Sequence, residues 1–456
     1  MNQGRTITAL LVLLDAAAVI LVFNFFAWTR GIADLHDLIL APLLLPLLMQ
    51  FLAVFLIDGY NPHTDMMSVT YTSLHVISLL LVLLFTLLLT YGVISAGFPL
   101  QGSRLVITSS CLCLIPITLS YRRFFYRRQQ AGTQQRYFMF LGSPESCLAF
   151  KEECRKTGMK QSVLYATHST FAPGFTNPNA VSVPPFGDVA HYLEEYEGNL
   201  DAIILRESSD ELPDAVAQKL MELHFSGVPT YTLELFHEVY WRKIPLYRLN
   251  QTWLFQEGFQ IAREPVFERL KRVSDIGFAA LGLLVALPFL PVAAALIWGE
   301  DRGPVFFRQP RVGKNRRLFS IVKLRTMRVG GEGDTYTRAG DSRITRIGQF
   351  LRNTRLDEVP QLWNVLVGDM SLIGPRAEWV RLVEEYEQKI PCYHFRHLVK
   401  PGITGWAQVN YNYGENLEDT LRKLEYDLYY IRYFSFVLDA SIVLKTIHIM
   451  LFGKGR

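Results

Sequence analysis

Cysteine is scarce in this sequence: five among 456 residues, with no CxxC pair. An odd, unpaired set excludes a disulfide framework and a cysteine-built zinc site, and it fits a reduced, cytoplasm-facing location. Charge is also thin, at 19% of residues with a net of +4. So mild a balance, with no RNA- or DNA-binding motif, leaves no reason to expect a nucleic-acid partner. Glycine is missing where a dinucleotide site would need it. The segment Leu141-Gly142-Ser143-Pro144 follows a strand-like run, but two glycines of G-x-G-x-x-G are absent, so nucleotide binding is not expected there. The glycine-rich stretch Gly330–Gly333 lacks the lysine and following helix of a P-loop and reads as a loop. No secretory cleavage site follows the first apolar segment, which therefore reads as a retained anchor.

Apolar runs are abundant. Four of them open the chain, at Ile7–Trp28, Leu38–Ile57, Leu74–Ile94 and Leu105–Leu119. A membrane-crossing helix needs about 20 apolar residues, so residues 1–125 are expected to form four N-terminal transmembrane helices. Asp15 and Asn24 interrupt the first run and read as bundle-packing residues. A basic aromatic collar, Tyr121–Arg128, marks the cytoplasmic side.

Residues 136–255 change character. Short apolar runs at Tyr137–Leu141, Ser162–Ala166, Ala202–Leu205 and Thr230–Leu233 alternate with helical patterns at Val189–Tyr196 and Leu212–Phe225. Such alternation predicts a Rossmann-like α/β domain with a structural or regulatory role. A third region, 264–456, contains the fifth apolar run. Pro288 and Pro291 interrupt its middle, and basic residues flank both ends: Arg269, Lys271 and Arg272 before, Arg302, Arg308 and Arg311 after. Proline bends a helix, and two cationic flanks can share one membrane face only if the segment returns. A re-entrant helix over 276–298 is the expectation.

Between Arg302 and Arg355 stand fourteen Lys/Arg against three acids. Such density beside a membrane segment fits anionic headgroups or a substrate carrying several phosphates; charge alone does not choose. The stretch that follows, Thr354-Arg-Leu-Asp357-Glu358-Val-Pro360 to Gly368, predicts a helix with Pro360 in its first turn and Gly368 as its stop. Asp357 and Glu358 would then sit at a helix start, where anions are stabilised. Adjacent carboxylates can hold Mg²⁺ together with a phosphate, an ionised aspartate can attack phosphorus, and the same pair can serve merely as a cap.

Three more blocks accompany that pair: Lys323-Leu-Arg325-Thr-Met327, Gly368-Asp-Met-Ser-Leu-Ile-Gly374-Pro375-Arg376, and Lys400-Pro401-Gly402-Ile-Thr404-Gly405-Trp406-Ala-Gln408-Val-Asn410. With the Asp-Glu helix they resemble the bacterial sugar transferase family, the monotopic phosphoglycosyl transferases, from about Phe267 to Phe452. The whole layout resembles the large members, which act as polyprenyl-phosphate hexose-1-phosphate transferases. The resemblance implies a mainly α-helical catalytic domain. It makes Asp357 the nucleophile toward the β-phosphorus of a UDP-sugar, with UMP released and an aspartyl phospho-sugar formed. Glu358 would share Mg²⁺ or assist the acceptor, polyprenyl phosphate. Lys323, Arg325, Arg376, Lys400 and Asp427 match substrate-binding positions, and Pro288 matches the membrane-bending proline. Two positions depart from the pattern. Ala377 replaces a second proline, and Lys400 replaces an arginine, so a bidentate phosphate contact becomes a point contact. Trp363 and Trp406 read as core residues or as stacking partners for uracil.

The resemblance further implies a multi-pass protein of the bacterial cytoplasmic membrane, its catalytic domain facing the cytoplasm and initiating exopolysaccharide, capsule or O-antigen synthesis. Its partners would be the UDP-sugar, polyprenyl phosphate and the lipid bilayer; a homodimer is compatible with the sequence. Two other readings compete: an inactive regulator of envelope polysaccharide assembly, and a membrane oxidoreductase acting through the middle domain. Joint retention of Asp357, Glu358, Lys323 and Arg376 weighs against the first, and the missing glycines weigh against the second.

Overall fold

A computed structural model of the chain describes residues 2–32, 38–61, 64, 66–92, 101, 103–132, 137–159, 161–167, 187–195, 199–206, 214–246, 265–328, 343–411 and 416–452. The chain forms two compact units, Met1–Arg242 and Lys243–Arg456. The first holds both regions that the sequence separates at about residue 130. The glycine-rich stretch Gly330–Gly333 and residues 247–264 lie outside the described residues.

Among the described residues of the first unit, three helices are long and apolar enough to cross a bilayer: Thr6–Thr29, Thr70–Gly92 and Arg104–Arg128. The second expected span is shorter than the sequence led us to expect. Its α-helix covers 13 residues, Leu44–Leu56, after a 3-10 turn at Ala41–Leu43. Pro42 and Pro46 confine the helix start, because proline is tolerated only in a first turn. At about 1.5 Å per residue the helix rises roughly 20 Å, well under a hydrocarbon core of about 30 Å. Asp15 and Asn24 pack the bundle as expected. Asn24 Nδ2 donates to the Ile39 carbonyl at 3.0 Å, and its Oδ1 accepts from the Ile39 N–H at 2.7 Å. Asp15 is fully buried and accepts from Arg122 Nη1 at 2.9 Å, from Arg122 Nη2, and from the Tyr60 and Tyr121 hydroxyls.

The same unit contains a five-stranded parallel sheet in the order β3-β2-β1-β4-β5, with β1 Tyr137–Leu141, β2 Ser162–Thr167, β3 Gly187–Asp188, β4 Leu200–Leu205 and β5 Thr230–Thr232. Strand β1 is buried on both faces, which explains its unbroken apolar run. Met139 and Leu141 pack with Ile203 and Leu220 on one side, and Phe138 and Phe140 pack with Phe150 and Phe236 on the other. At the end of β1 a Cβ on Gly142 would lie 2.9 Å from the Arg206 Cβ. Gly142 thus allows the chain after β4 to pass close by, with Arg206 N–H donating to the Leu141 carbonyl at 2.9 Å.

The second unit opens with the fifth apolar run, and this run is bent. Helices Pro265–Ala286 and Phe289–Asp301 meet at 61°. Pro288 supplies no N–H for the Leu284 carbonyl, which ends the first helix, while Pro291 falls in the first turn of the second. The helix starts eleven residues ahead of Ile276, so the basic trio Arg269, Lys271 and Arg272 is helical. Leu281, Leu284, Leu287, Phe289 and Val292 are exposed, an apolar surface suited to lipid.

The expected mainly helical domain also holds an antiparallel hairpin, β6 Phe306–Val312 with β7 Leu318–Leu324. Strand β6 carries Arg308, Gln309, Pro310 and Arg311 in succession and is largely exposed, so it does not read as an alternating strand. Its turn carries Asn315 and Arg316 in left-handed backbone. Two three-residue parallel strands, β8 Ser371–Ile373 and β9 Gly402–Thr404, join the two glycine-bearing blocks. Side chains would not fit there: a Cβ on Gly402 would lie 2.1 Å from the Gly374 nitrogen.

Candidate active site

Asp357 lies in a 3-10 turn, Leu356–Glu358, ahead of the seven-residue helix Gln361–Val367. The expected helix start is thus displaced: Pro360 is its N-cap, and neither carboxylate caps it. Instead the turn is anchored through the backbone, Glu358 N–H donating to the Arg355 carbonyl at 3.2 Å. Arg355, with φ 59°, occupies left-handed backbone, which costs a residue bearing a Cβ roughly 1–2 kcal/mol. Strain of this kind collects at functional sites.

Two devices fix the helix that follows. Buried Asn364 accepts from the Val322 N–H at 3.1 Å and donates from Nδ2 to the Ser320 carbonyl at 2.8 Å, clamping the helix to β7. At its far end Arg272 donates to the Val365 and Leu366 carbonyls at 2.5 and 2.7 Å, filling the role of a C-terminal cap. Gly368 closes the helix with φ 104°, as expected. Because β7 carries Lys323, the Asn364 clamp also sets the register between Lys323 and Glu358.

Lys323 Nζ reaches Glu358 Oε1 at 2.8 Å. Burial opposes the charge on Glu358, but Lys323 and then Arg376 overcome it and hold the carboxyl at about 2. Asp357 goes the other way. Burial, reinforced by the Glu358 charge, raises its pKa. Its Oδ1 is buried without a hydrogen-bond partner among the described residues, although a buried acceptor left unpaired costs about 1–3 kcal/mol. Two adjacent acids thus sit in opposite environments, a pattern that accompanies chemical function.

Both face a cleft of about 850 Å³ lined, among the described residues, by eleven Lys/Arg and four Asp/Glu. Of the residues singled out in the sequence, Lys323, Arg325, Arg376 and Asp427 line it with the carboxylate pair; Lys400 does not. Lys400 instead approaches Gly368, where a Cβ would come within 3.6 Å of its Nζ, and it lines a separate hollow of about 320 Å³ with Arg269, Arg272 and Lys314. Arg325 is buried and paired with Asp301. Asp427 is buried beneath the cleft and pairs with Arg396 Nη2 at 2.9 Å, and burial pushes its carboxyl up to about 6 against the pull of that arginine.

Sequence reasoning passed over Arg396. From Nη2 it also donates to the Arg376 carbonyl at 3.1 Å, and through Nη1 to the Tyr393 hydroxyl, so Asp427 positions Arg376 rather than meeting the cleft freely. Its context, Tyr393-His-Phe-Arg396, follows no ligand pattern. Ala377 is buried, its carbonyl accepting from Arg311 at 3.0 Å. Trp406 is a core residue, and Trp363 is exposed but lines no part of the cleft.

The second unit thus combines a bent apolar helix, a basic cleft and paired carboxylates. Residues 266–453 match the family described as bacterial sugar transferase. The chain is 38% identical over 257 residues to the UDP-N-acetylgalactosamine-undecaprenyl-phosphate N-acetylgalactosaminephosphotransferase of Aeromonas hydrophila, covering 56% of this chain and 60% of that one. It is 45% identical over 182 residues to the UDP-glucose:undecaprenyl-phosphate glucose-1-phosphate transferase of Escherichia coli, covering 39% of each. The exopolysaccharide production protein PSS of Rhizobium leguminosarum is 41% identical over 186 residues, 39% of this chain and 93% of that protein. The chain belongs to the bacterial sugar transferase family. It spans 60% or less of the first two relatives' lengths.

Proposed function

We propose that this chain transfers a sugar-1-phosphate from a UDP-sugar to polyprenyl phosphate at the cytoplasmic face of the bacterial inner membrane. Asp357, buried beside Glu358 with an oxygen left unpartnered in a basic cleft, carries the reading. The names of the relatives, which act on UDP-sugars and undecaprenyl phosphate, support it.

The first step is attack by an Asp357 oxygen on the β-phosphorus of the donor. The bond from that phosphorus to the bridging oxygen breaks, and UMP leaves with the electron pair. An oxygen of polyprenyl phosphate then attacks the phosphorus of the aspartyl phospho-sugar. The bond to Asp357 breaks, the carboxylate returns, and polyprenyl diphosphate sugar is released. Burial suits the first step, because a less solvated and more basic carboxylate is a better nucleophile. Lys323 and Arg376 neutralise phosphoryl charge in the transition state, and Arg396 holds the Arg376 backbone in place.

Asp357 and Glu358 are the residues that would hold Mg²⁺. The unpartnered Asp357 oxygen is the hard donor such an ion prefers, and Mg²⁺ needs only one or two carboxylates besides phosphates and water. When bound, it would neutralise diphosphate charge.

The bend at Pro288 would keep the basic flanks on one membrane side, presenting the cleft to both cytoplasm and lipid. The sheet of the first unit serves as a Rossmann-like structural module, and its helices anchor the chain. Purified protein in nanodiscs, given polyprenyl phosphate and a panel of UDP-sugars, should release UMP and form a lipid-linked sugar with at least one donor. No turnover with any donor, from folded protein, would overturn the reading.

A further inference from the structure

A second hollow, of about 450 Å³, meets the basic cleft at three shared residues: Arg352, Arg355 and Glu358. Its chemistry differs sharply. Val359, Leu362, Ile403, Val409, Ile449 and Met450 wall it, and its two cations both stand on the rim shared with the cleft. The hydroxyls of Thr404 and Thr446, also in its wall, bond each other at 2.8 Å, and Asn353 and Gln408 are its remaining polar lining away from the shared rim. Beyond Met450 the wall continues into exposed Leu451 and Phe452.

We infer that this hollow receives the first isoprene units of the lipid acceptor while Arg352 and Arg355 take its phosphate. The inference rests on the reading of Asp357 as the group that accepts the phospho-sugar. The argument is one of charge and polarity. A nucleoside diphosphate has nothing to bury among six aliphatic side chains, whereas an isoprenyl phosphate matches them, with its anionic end directed to the two guanidiniums. Glu358 lies on the shared rim, so a phosphate held there is adjacent to the Asp357 turn. Arg355 reaches that rim through its left-handed backbone. The hollow holds only the phosphate-proximal part of the chain, and the remainder lies among lipid.

Ile449→Trp fills the hollow from a helix that carries none of the proposed catalytic groups. In the full-length protein in nanodiscs, UMP release from UDP-sugar without acceptor should match wild type. The KM for undecaprenyl phosphate should rise roughly tenfold or more, with little change in donor KM. An unchanged acceptor KM overturns the inference. A wild-type protein that releases no UMP overturns the underlying reading instead, which is a separate result. Should Ile449→Trp also lose UMP release, wild-type protein decides the matter through a polyprenyl phosphate bearing a photoreactive group on its first isoprene unit. Crosslinks within Ile403–Val409 or Thr446–Met450 support the assignment; crosslinks confined to the bent helices contradict it.

Discussion

Two buried aspartates of this protein, one from each unit, are treated in opposite ways. Asp15, in the first unit, has both oxygens saturated: Arg122 donates to each, and Tyr60 and Tyr121 complete the set. Asp357, in the second, keeps one buried oxygen without a partner among the described residues although cations crowd its cleft. A fully bonded buried charge fixes how helices pack; one denied its bonds is held ready for a ligand or a reaction. Burial alone does not separate structure from chemistry. Between these two aspartates, the bonding of each oxygen does.

The largest effect expected from breaking this contrast is at Asp357. Asp357→Asn removes the proposed nucleophile, so transfer should fall below detection while thermal unfolding stays near wild type, since no bond to Oδ1 is lost. Substantial turnover would reduce Asp357 to a metal ligand or a structural acid. Next comes Glu358→Gln, which should lower kcat/KM by roughly 10²–10⁴, the range for a positioned acid or base. Rates within twofold of wild type would remove Glu358 from the mechanism.

A smaller, more diagnostic effect lies in pH. Asp357 must be ionised to attack, and the Lys323 charge lowers a pKa that burial raises. Lys323→Met should therefore move the acidic limb of the kcat/KM profile to higher pH; a shift to lower pH would contradict the electrostatics. The same variant loses a stabilising pair. Because the folded pKa of Glu358 is depressed, that contribution is fully present above its unfolded value of about 4.3 and is lost as pH falls toward about 2. Wild type should thus exceed Lys323→Met in melting temperature more at pH 6 than at pH 3.

Asp427→Asn leaves Arg396 buried without its counter-charge. Destabilisation of roughly 3–5 kcal/mol is expected, with a modest activity loss as the Arg376 backbone loosens, measurable by denaturant titration beside initial rates. The smallest effect on chemistry belongs to the first unit. Asp15→Asn should destabilise the helical bundle, yet UMP release per folded molecule should stay within twofold of wild type. A tenfold loss would show that the bundle takes part in catalysis.

How much was legible in sequence follows from the range of the interactions. Four of the five strands of the parallel sheet read correctly to within two residues because each is a continuous apolar run bounded by polar turns; β3, Gly187–Asp188, is two residues long with no apolar run and was missed. The bend at Pro288 was legible for a local reason, a missing N–H. Short-range rules failed where a tertiary partner decides. Hairpin β6–β7 was hidden because its exposed face holds cations for the cleft. Asn364 looked like one more helical residue, although its amide clamps β7 from 42 residues away. Arg396 carries no pattern, since its partners Asp427 and the Arg376 carbonyl come from separate elements. Lys400 sat in a recognisable block, but the β8–β9 pairing carries that block past the cleft, to the far end of the Gln361–Val367 helix.

The most direct test of Asp357 as a covalent nucleophile is the intact mass of the protein after exposure to UDP-sugar and Mg²⁺ without lipid acceptor. Wild type should gain one sugar phosphate as it releases one equivalent of UMP. Peptide mapping should place the adduct on Asp357, and added polyprenyl phosphate should discharge it. Full turnover by wild type with no adduct trapped, or an adduct that also forms on Asp357→Asn, would contradict it and point to direct attack by the lipid phosphate.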